Sequence, residues 1–111
     1  MLDDYATVVE QRQVTVLEFN GTVAGVLVLA ITPEGFLLEN VAVLPAHRGI
    51  GKTLLQHAES EASRHGYGSL YLYTHEKMTE NQRLYAKIGY VEYDRRVEHG
   101  LARVFMRKNL R

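Results

Sequence analysis

The chain contains no cysteine. That excludes disulfides, thiolate nucleophiles and cysteine-based metal sites, and it suits a cytoplasmic protein. Net charge is absent as well. Thirteen basic and thirteen acidic side chains cancel, so nothing points to nucleic acid or an anionic membrane as a partner. Long apolar runs are missing too: the longest, residues 23–31, is too short to span a bilayer. The start, MLDDYATVV, carries two acids and no apolar run behind a basic region, so no signal peptide is expected. His47, His57, His65 and His99 show neither metal-ligand spacing nor a carboxylate partner, and no metal is expected. At 111 residues the chain suffices for one small domain, residues 1–111, around a single core.

What is present is a clear order of elements. Leu2, Tyr5 and Val9 recur at helical spacing and predict a short helix over residues 2–12. VTVLEF and TVAGVLVLA flank Asn20-Gly21, the dipeptide best suited to the two positive φ values of a tight hairpin. TPEG makes a second turn, and FLLENVAVL a third strand stopped by Pro45. Leu54, Ala58 and Ala62, with Leu55 beside them, form one apolar stripe of a helix ending near Gly66. SLYLYT reads as a strand. Thr79 and Gln82 fit a capping box, with Leu84, Tyr85 and Ile88 lining a short helix up to Gly89. YVEYDRRV and LARVFMRK, joined at Glu98-His99-Gly100, close the chain as a hairpin. No repeat, linker or low-complexity segment interrupts this order.

Between the third strand and the first long helix lies PAHRGIGKTLLQ. Small residues there let backbone N–H groups turn toward phosphate oxygens, with the positive end of the following helix behind them. Ala46, Gly51, Lys52 and Thr53 fit a relaxed P-loop, but that loop follows a buried parallel strand and needs a later Asp to organise Mg²⁺. Here a meander of hairpins precedes it, and the later strand ends in Thr74-His75-Glu76. The nucleotide-hydrolase reading therefore gives way to another pyrophosphate ligand.

Two stretches resemble the GNAT superfamily of acyl-CoA-dependent N-acetyltransferases. LENVAVLPAHRGIGKTLLQHAE is similar to that family's strand, glycine loop and helix for CoA. LYLYTHEKMTENQRLYAKIGYVEYDRR is similar to its later strand, helix and strand, with Asn81, then Leu84-Tyr85, then Gly89-Tyr90. The resemblance covers nearly the whole chain from Val14 onward. It implies an α+β fold with a mixed, mostly antiparallel splayed sheet and flanking helices. Two departures stand out: Ala46 replaces a usual Gln or Arg, and most of the strand and helices that open the family domain are missing before Val14. That shortened start would leave the acceptor side less walled than usual.

The resemblance also implies roles. Arg48, Gly49, Ile50, Gly51, Lys52 and Thr53 would hold the CoA pyrophosphate, the glycines by letting the backbone approach. Residues 41–43 would pair with the pantetheine arm through Val41 and Val43, and the Val43 N–H would face the tetrahedral oxyanion. Asn81 would hold the pantetheine amides, or else cap helix-end groups. Tyr85, a phenol on the short helix, would protonate the departing thiolate, or else is simply one of the core aromatics with Tyr71, Tyr73, Tyr90 and Tyr93. An amine must shed a proton before it can attack, and Glu39, on the strand leading to the loop, could accept it or could be an ordinary solvated strand carboxylate. His75 and Glu76 are weaker candidates for that task. The expected activity is transfer of acetyl from acetyl-CoA to a primary amine on a small molecule or peptide, by direct attack in a ternary complex, since no Cys or Ser-His pair offers a covalent route. A rival expectation is a non-catalytic acyl-CoA-binding module, a sensor or partner-dependent subunit. A third is a homodimer in which a second copy completes the acceptor side.

Overall fold

The computed structural model describes residues 11–44 and 49–110. It contains β1 (Gln11–Phe19), β2 (Thr22–Thr32), β3 (Gly35–Val43), α1 (Ile50–Arg64), β4 (Ser69–His75), α2 (Thr79–Lys87), β5 (Val91–Glu98) and β6 (Leu101–Asn109). The strands form one six-stranded sheet in the order β1-β2-β3-β4-β6-β5. All neighbours are antiparallel except β3 and β4, which run parallel and pair at Leu37↔Tyr71. This is the α+β architecture expected: meander, helix, strand, helix, C-terminal hairpin.

Local chemistry explains the turns. Asn20 and Gly21 take φ of 54° and 77°, the left-handed pair that matches hairpin twist, and His99 and Gly100 repeat it at 54° and 79°. After α2, Gly89 takes φ of 107°, and the Tyr90 N–H returns to the Tyr85 carbonyl at 3.0 Å. That bond satisfies a helix-end acceptor that would otherwise be orphaned.

Three expectations need correction. The helix proposed over residues 2–12 lies mostly outside the described residues, but Gln11 and Arg12 are strand, opposite Ile31 and Ala30. The long β2 offers them a ladder, and pairing overrides local helical spacing. Thr79 does not cap α2; Met78 does, without a side-chain bond, and the Gln82 amide donates instead to the carbonyls of His75 and Glu76. Leu84 does not belong to a buried stripe. It is 54% exposed, while Tyr85 and Ile88 pack on the core.

The sheet has two unlike faces. On one, α1 lays Leu54, Ala58 and Ala62 against Leu27, Leu29, Phe36, Leu38, Leu70, Leu72, Val104 and Met106. A Cβ on Gly25 would sit 2.9 Å from Leu54 Cδ1 and 3.2 Å from Ile50 Cδ1, so glycine is what lets α1 come this close. The expected α1 stripe is found, with Glu61 buried beside it, held by Arg64 at 2.7 Å and Gln13 at 3.2 Å. On the other face, Ala30, Leu37, Tyr71 and Phe105 are buried, and among the described residues no helix lies over them. Their cover is a layer of arginines: Arg96 lies 3.9 Å from the Phe105 ring centroid, Arg103 4.6 Å from Tyr73 and Arg107 5.2 Å from Tyr71. Glu34 ties this layer down, accepting two bonds from Arg96 and one from the Tyr93 hydroxyl.

Candidate active site

A bulge in β3 shapes the site. Asn40 stands opposite Val28 but Leu38 opposite Leu29, so Glu39 is an extra residue without a partner on β2. The helix-side core takes Phe36 and Leu38, then Val41 and Val43: the step from Leu38 to Val41 is three residues instead of two. Glu39 therefore does not share a face with Val41 and Val43. It meets Arg12, which stands beside Ala30 of the opposite layer, through bonds of 2.8 and 2.9 Å.

Beyond Leu37↔Tyr71 the parallel strands separate. Between them opens a cleft of about 170 Å³, lined by Leu38, Glu39, Asn40 and Val41 from β3, Leu72, Tyr73 and Thr74 from β4, and Asn81 and Tyr85 from α2. Backbone direction is fixed by the neighbouring ladder. The Leu44 N–H bonds the Ala24 carbonyl at 2.9 Å. Successive amides alternate sides along a strand, so those of Val43 and Val41 point away from β2, toward the β4 side.

Tyr85 reaches this cleft from the first helical layer. Its ring packs edge-on against Tyr90, centroids 5.6 Å apart at 69°. Burial pushes its phenol above the ordinary value, so it holds its proton at neutral pH. The α1 N-terminus sits further along β3: Gly49 is the N-cap, no side chain caps it, and no acid stands in the first turn. A helix N-terminus of this kind, with no side-chain cap and no acid beside it, favours a nearby anion. A Cβ on Gly51 would lie 3.6 Å from the Val43 side chain, which puts the loop end beside Val43. Lys52 and Thr53 are exposed there, whereas the Ile50 side chain is turned inward over Gly25.

Of the residues singled out from the sequence, the structure brings Glu39, Val41, Asn81 and Tyr85 around one cleft. It sets Val43 apart, in a groove with Gly25 and Leu44, nearer the helix end. Arg48 lies outside the described residues. His75 is not on the cleft; its Nδ1 accepts the Lys77 N–H at 3.1 Å. Tyr73, Thr74 and Arg12 were not foreseen as site residues. Alternation places Thr74 only once β4 has a neighbour, and nothing in the sequence links Arg12 to Glu39. Among the described residues no group of three His, Asp or Glu side chains could hold a metal, and no helix is long and apolar enough to cross a membrane.

A parallel strand pair splayed at its C-terminal ends, followed by the α1 N-terminus beside Val43, defines an α+β domain with a cleft open at the middle of its sheet. The sequence matches the model of the Acetyltransferase (GNAT) family over residues 2–90, and the chain belongs to that family. No curated protein matches it in sequence. Among solved structures, nourseothricin acetyltransferase aligns over 92% of this chain and 67% of its own, at TM-score 0.77 and 20% identity. The ribosomal-protein-S18-alanine N-acetyltransferase of Escherichia coli aligns over 91% and 70%, at 0.75 and 23%. A GNAT family acetyltransferase from Elizabethkingia anophelis, solved with acetyl-CoA bound, aligns over 89% and 76%, at 0.74 and 22%. At these identities the likeness is one of fold.

Proposed function

We propose that the protein transfers the acetyl group of acetyl-CoA to a primary amine by direct attack in a ternary complex. The observation that carries this reading is the cleft itself, where a protonated phenol, a carboxylate and a row of strand amides meet. The residues fit the co-substrate. The open β3 edge offers the Val41 and Val43 amides to a pantetheine arm, and the α1 N-terminus, with Gly49, Gly51, Lys52 and Thr53, suits the pyrophosphate. Asn81 serves the pantetheine amides.

Val41 replaces Val43 as our candidate oxyanion donor, because Val41 shares the cleft with Tyr85 while Val43 lies beside Gly51. In the proposed reaction an ammonium loses one proton through Glu39 to solvent. The neutral amine attacks the thioester carbon, and the Val41 N–H stabilises the oxygen. As the tetrahedral species collapses the C–S bond breaks and the thiolate takes the Tyr85 proton. The excess proton on nitrogen then restores Tyr85. The products are an amide and the free thiol.

The test is thiol release from acetyl-CoA over a panel of diamines, amino acids, and peptides with free N-termini or lysines. Turnover with any amine supports the reading. Tight acetyl-CoA binding with no turnover across the panel would instead favour the binding-module alternative.

A further inference from the structure

The carboxylate expected to meet the acceptor is already engaged. Arg12 Nε and Nη2 hold Glu39 Oε1 and Oε2 at 2.8 and 2.9 Å, the two-pronged geometry in which a guanidinium matches a carboxylate best. This pair crosses the whole width of β2: Arg12 is on β1 and Glu39 on β3. Alternation from Leu37, buried on the face where Arg12 lies, carries Glu39 to that face, and the bulge after it returns Val41 and Val43 to the helix side. Glu39 is a wall of the cleft, so the guanidinium it holds stands at the cleft's Glu39 side.

We infer that Arg12 is an internal stand-in for the acceptor: its guanidinium occupies the cation subsite of Glu39, and a substrate alkylammonium binds by displacing it. This rests on the acetyl-transfer reading above. It narrows the acceptor to amines that arrive as cations, with the ammonium exchanging onto Glu39 before its proton leaves. An uncharged acceptor has nothing to exchange. The exchange is feasible because the pair is solvent-accessible, with side-chain exposures of 47% for Arg12 and 27% for Glu39. Open ion pairs of this kind are weak and easily replaced. Arg12, freed, needs no new partner, since water solvates it. Competition of this kind lowers apparent affinity by the fraction of time the subsite is occupied, so Arg12 sets the affinity for the amine without touching the thioester.

The experiment is calorimetric titration of 1,5-diaminopentane, and of 1-pentanol as its uncharged analogue, into the full chain saturated with CoA. Wild type, Arg12→Gln, Arg12→Met and Glu39→Gln are compared. The expected result is diamine binding tightened roughly fivefold in both Arg12 variants, the scale of an exposed ion pair. Glu39→Gln should weaken it below wild type, and pentanol should be indifferent to all three changes. Unchanged or weaker diamine binding in the Arg12 variants, or an equal gain for pentanol, overturns the inference. Because the titration needs no turnover, it fails separately from the acetyl-transfer reading, which falls only if no amine releases thiol.

Discussion

The two faces of this sheet solve the same burial problem with different chemistry. Under α1 and α2 the cover is apolar, and among the described residues twelve buried side chains form one cluster there. On the opposite face the buried apolar side chains of Ala30, Leu37, Tyr71 and Phe105 rely on arginine planes and the Glu34 hub. Beyond that layer, over β1 and β2, Val14 and Val16 are left 59% and 48% exposed. The first face is held by shape and the second by charge. Apolar cover is indifferent to pH and salt, whereas an arginine layer needs ionised carboxylates to anchor it. The cleft is where the two faces meet: Tyr85 comes from the helical side and Glu39 from the charged side.

The sharpest test of the contrast is Leu54→Ala. Truncating a fully buried side chain under α1 should cost about 3 kcal/mol in urea unfolding. A loss below about 1 kcal/mol would mean that the helical face is not close-packed. Next in size, Tyr85→Phe should slow thiol release roughly a hundredfold, the scale of a lost general acid, while acetyl-CoA binding by thermal shift is retained. An unchanged rate would leave Tyr85 as a core aromatic of the helical face and nothing more.

Acid should reach both faces, through Glu34 on the charged one and through Glu61 beside the apolar stripe of α1. The Arg96 bonds hold Glu34 below its ordinary value, and bonds from Arg64 and Gln13 bring Glu61 down to about 2. A lowered folded pKa contributes stability above the unfolded value and loses it as pH falls through the folded one. For Glu61 that window runs from about pH 4.5 to about 2. Glu34→Gln should therefore cost about 1 to 2 kcal/mol at pH 7, as for a hydrogen bond to a charged group. The difference from wild type should shrink as pH drops below the ordinary carboxylate range. A pH-independent cost in thermal unfolding would show that Glu34 acts through shape alone. The smallest effect is expected from Val14→Thr, under about 0.5 kcal/mol for an exposed strand position. A cost like that of Leu54→Ala would break the comparison, because it would mean that Val14 is covered after all.

Much of the fold was legible because its signals are local. Asn20-Gly21 specifies its own hairpin, Gly89 its own helix end, and Leu54, Ala58 and Ala62 their own buried stripe. What escaped depends on neighbours that only folding supplies. Arg12 became strand because β2 runs long enough to pair it, and Gln82 left the helix end for the carbonyls of His75 and Glu76. The Glu39 bulge is a mismatch between two strands, so neither strand alone reveals it. Of the cleft's lining, the sequence had singled out Glu39, Val41, Asn81 and Tyr85. Tyr73 and Thr74 were not singled out as cleft residues, because strand separation there is decided by β3 and β4 together.

That separation follows from a sheet whose parallel seam carries a single rung, Leu37↔Tyr71. On either side of it stands a three-stranded antiparallel unit, and β1, β2 and β3 are linked by tight turns into contacts close in sequence. Local pairings of that kind close quickly, and the distant rung is the slow, entropically costly step. The molecule should thus zip its first meander early and join the second unit late. Slowing at Leu37 or Tyr71 would then appear in the folding rate, while truncations within the first meander's outer strand would mostly speed unfolding. The gap proposed to take the co-substrate is thus also the last joint to form.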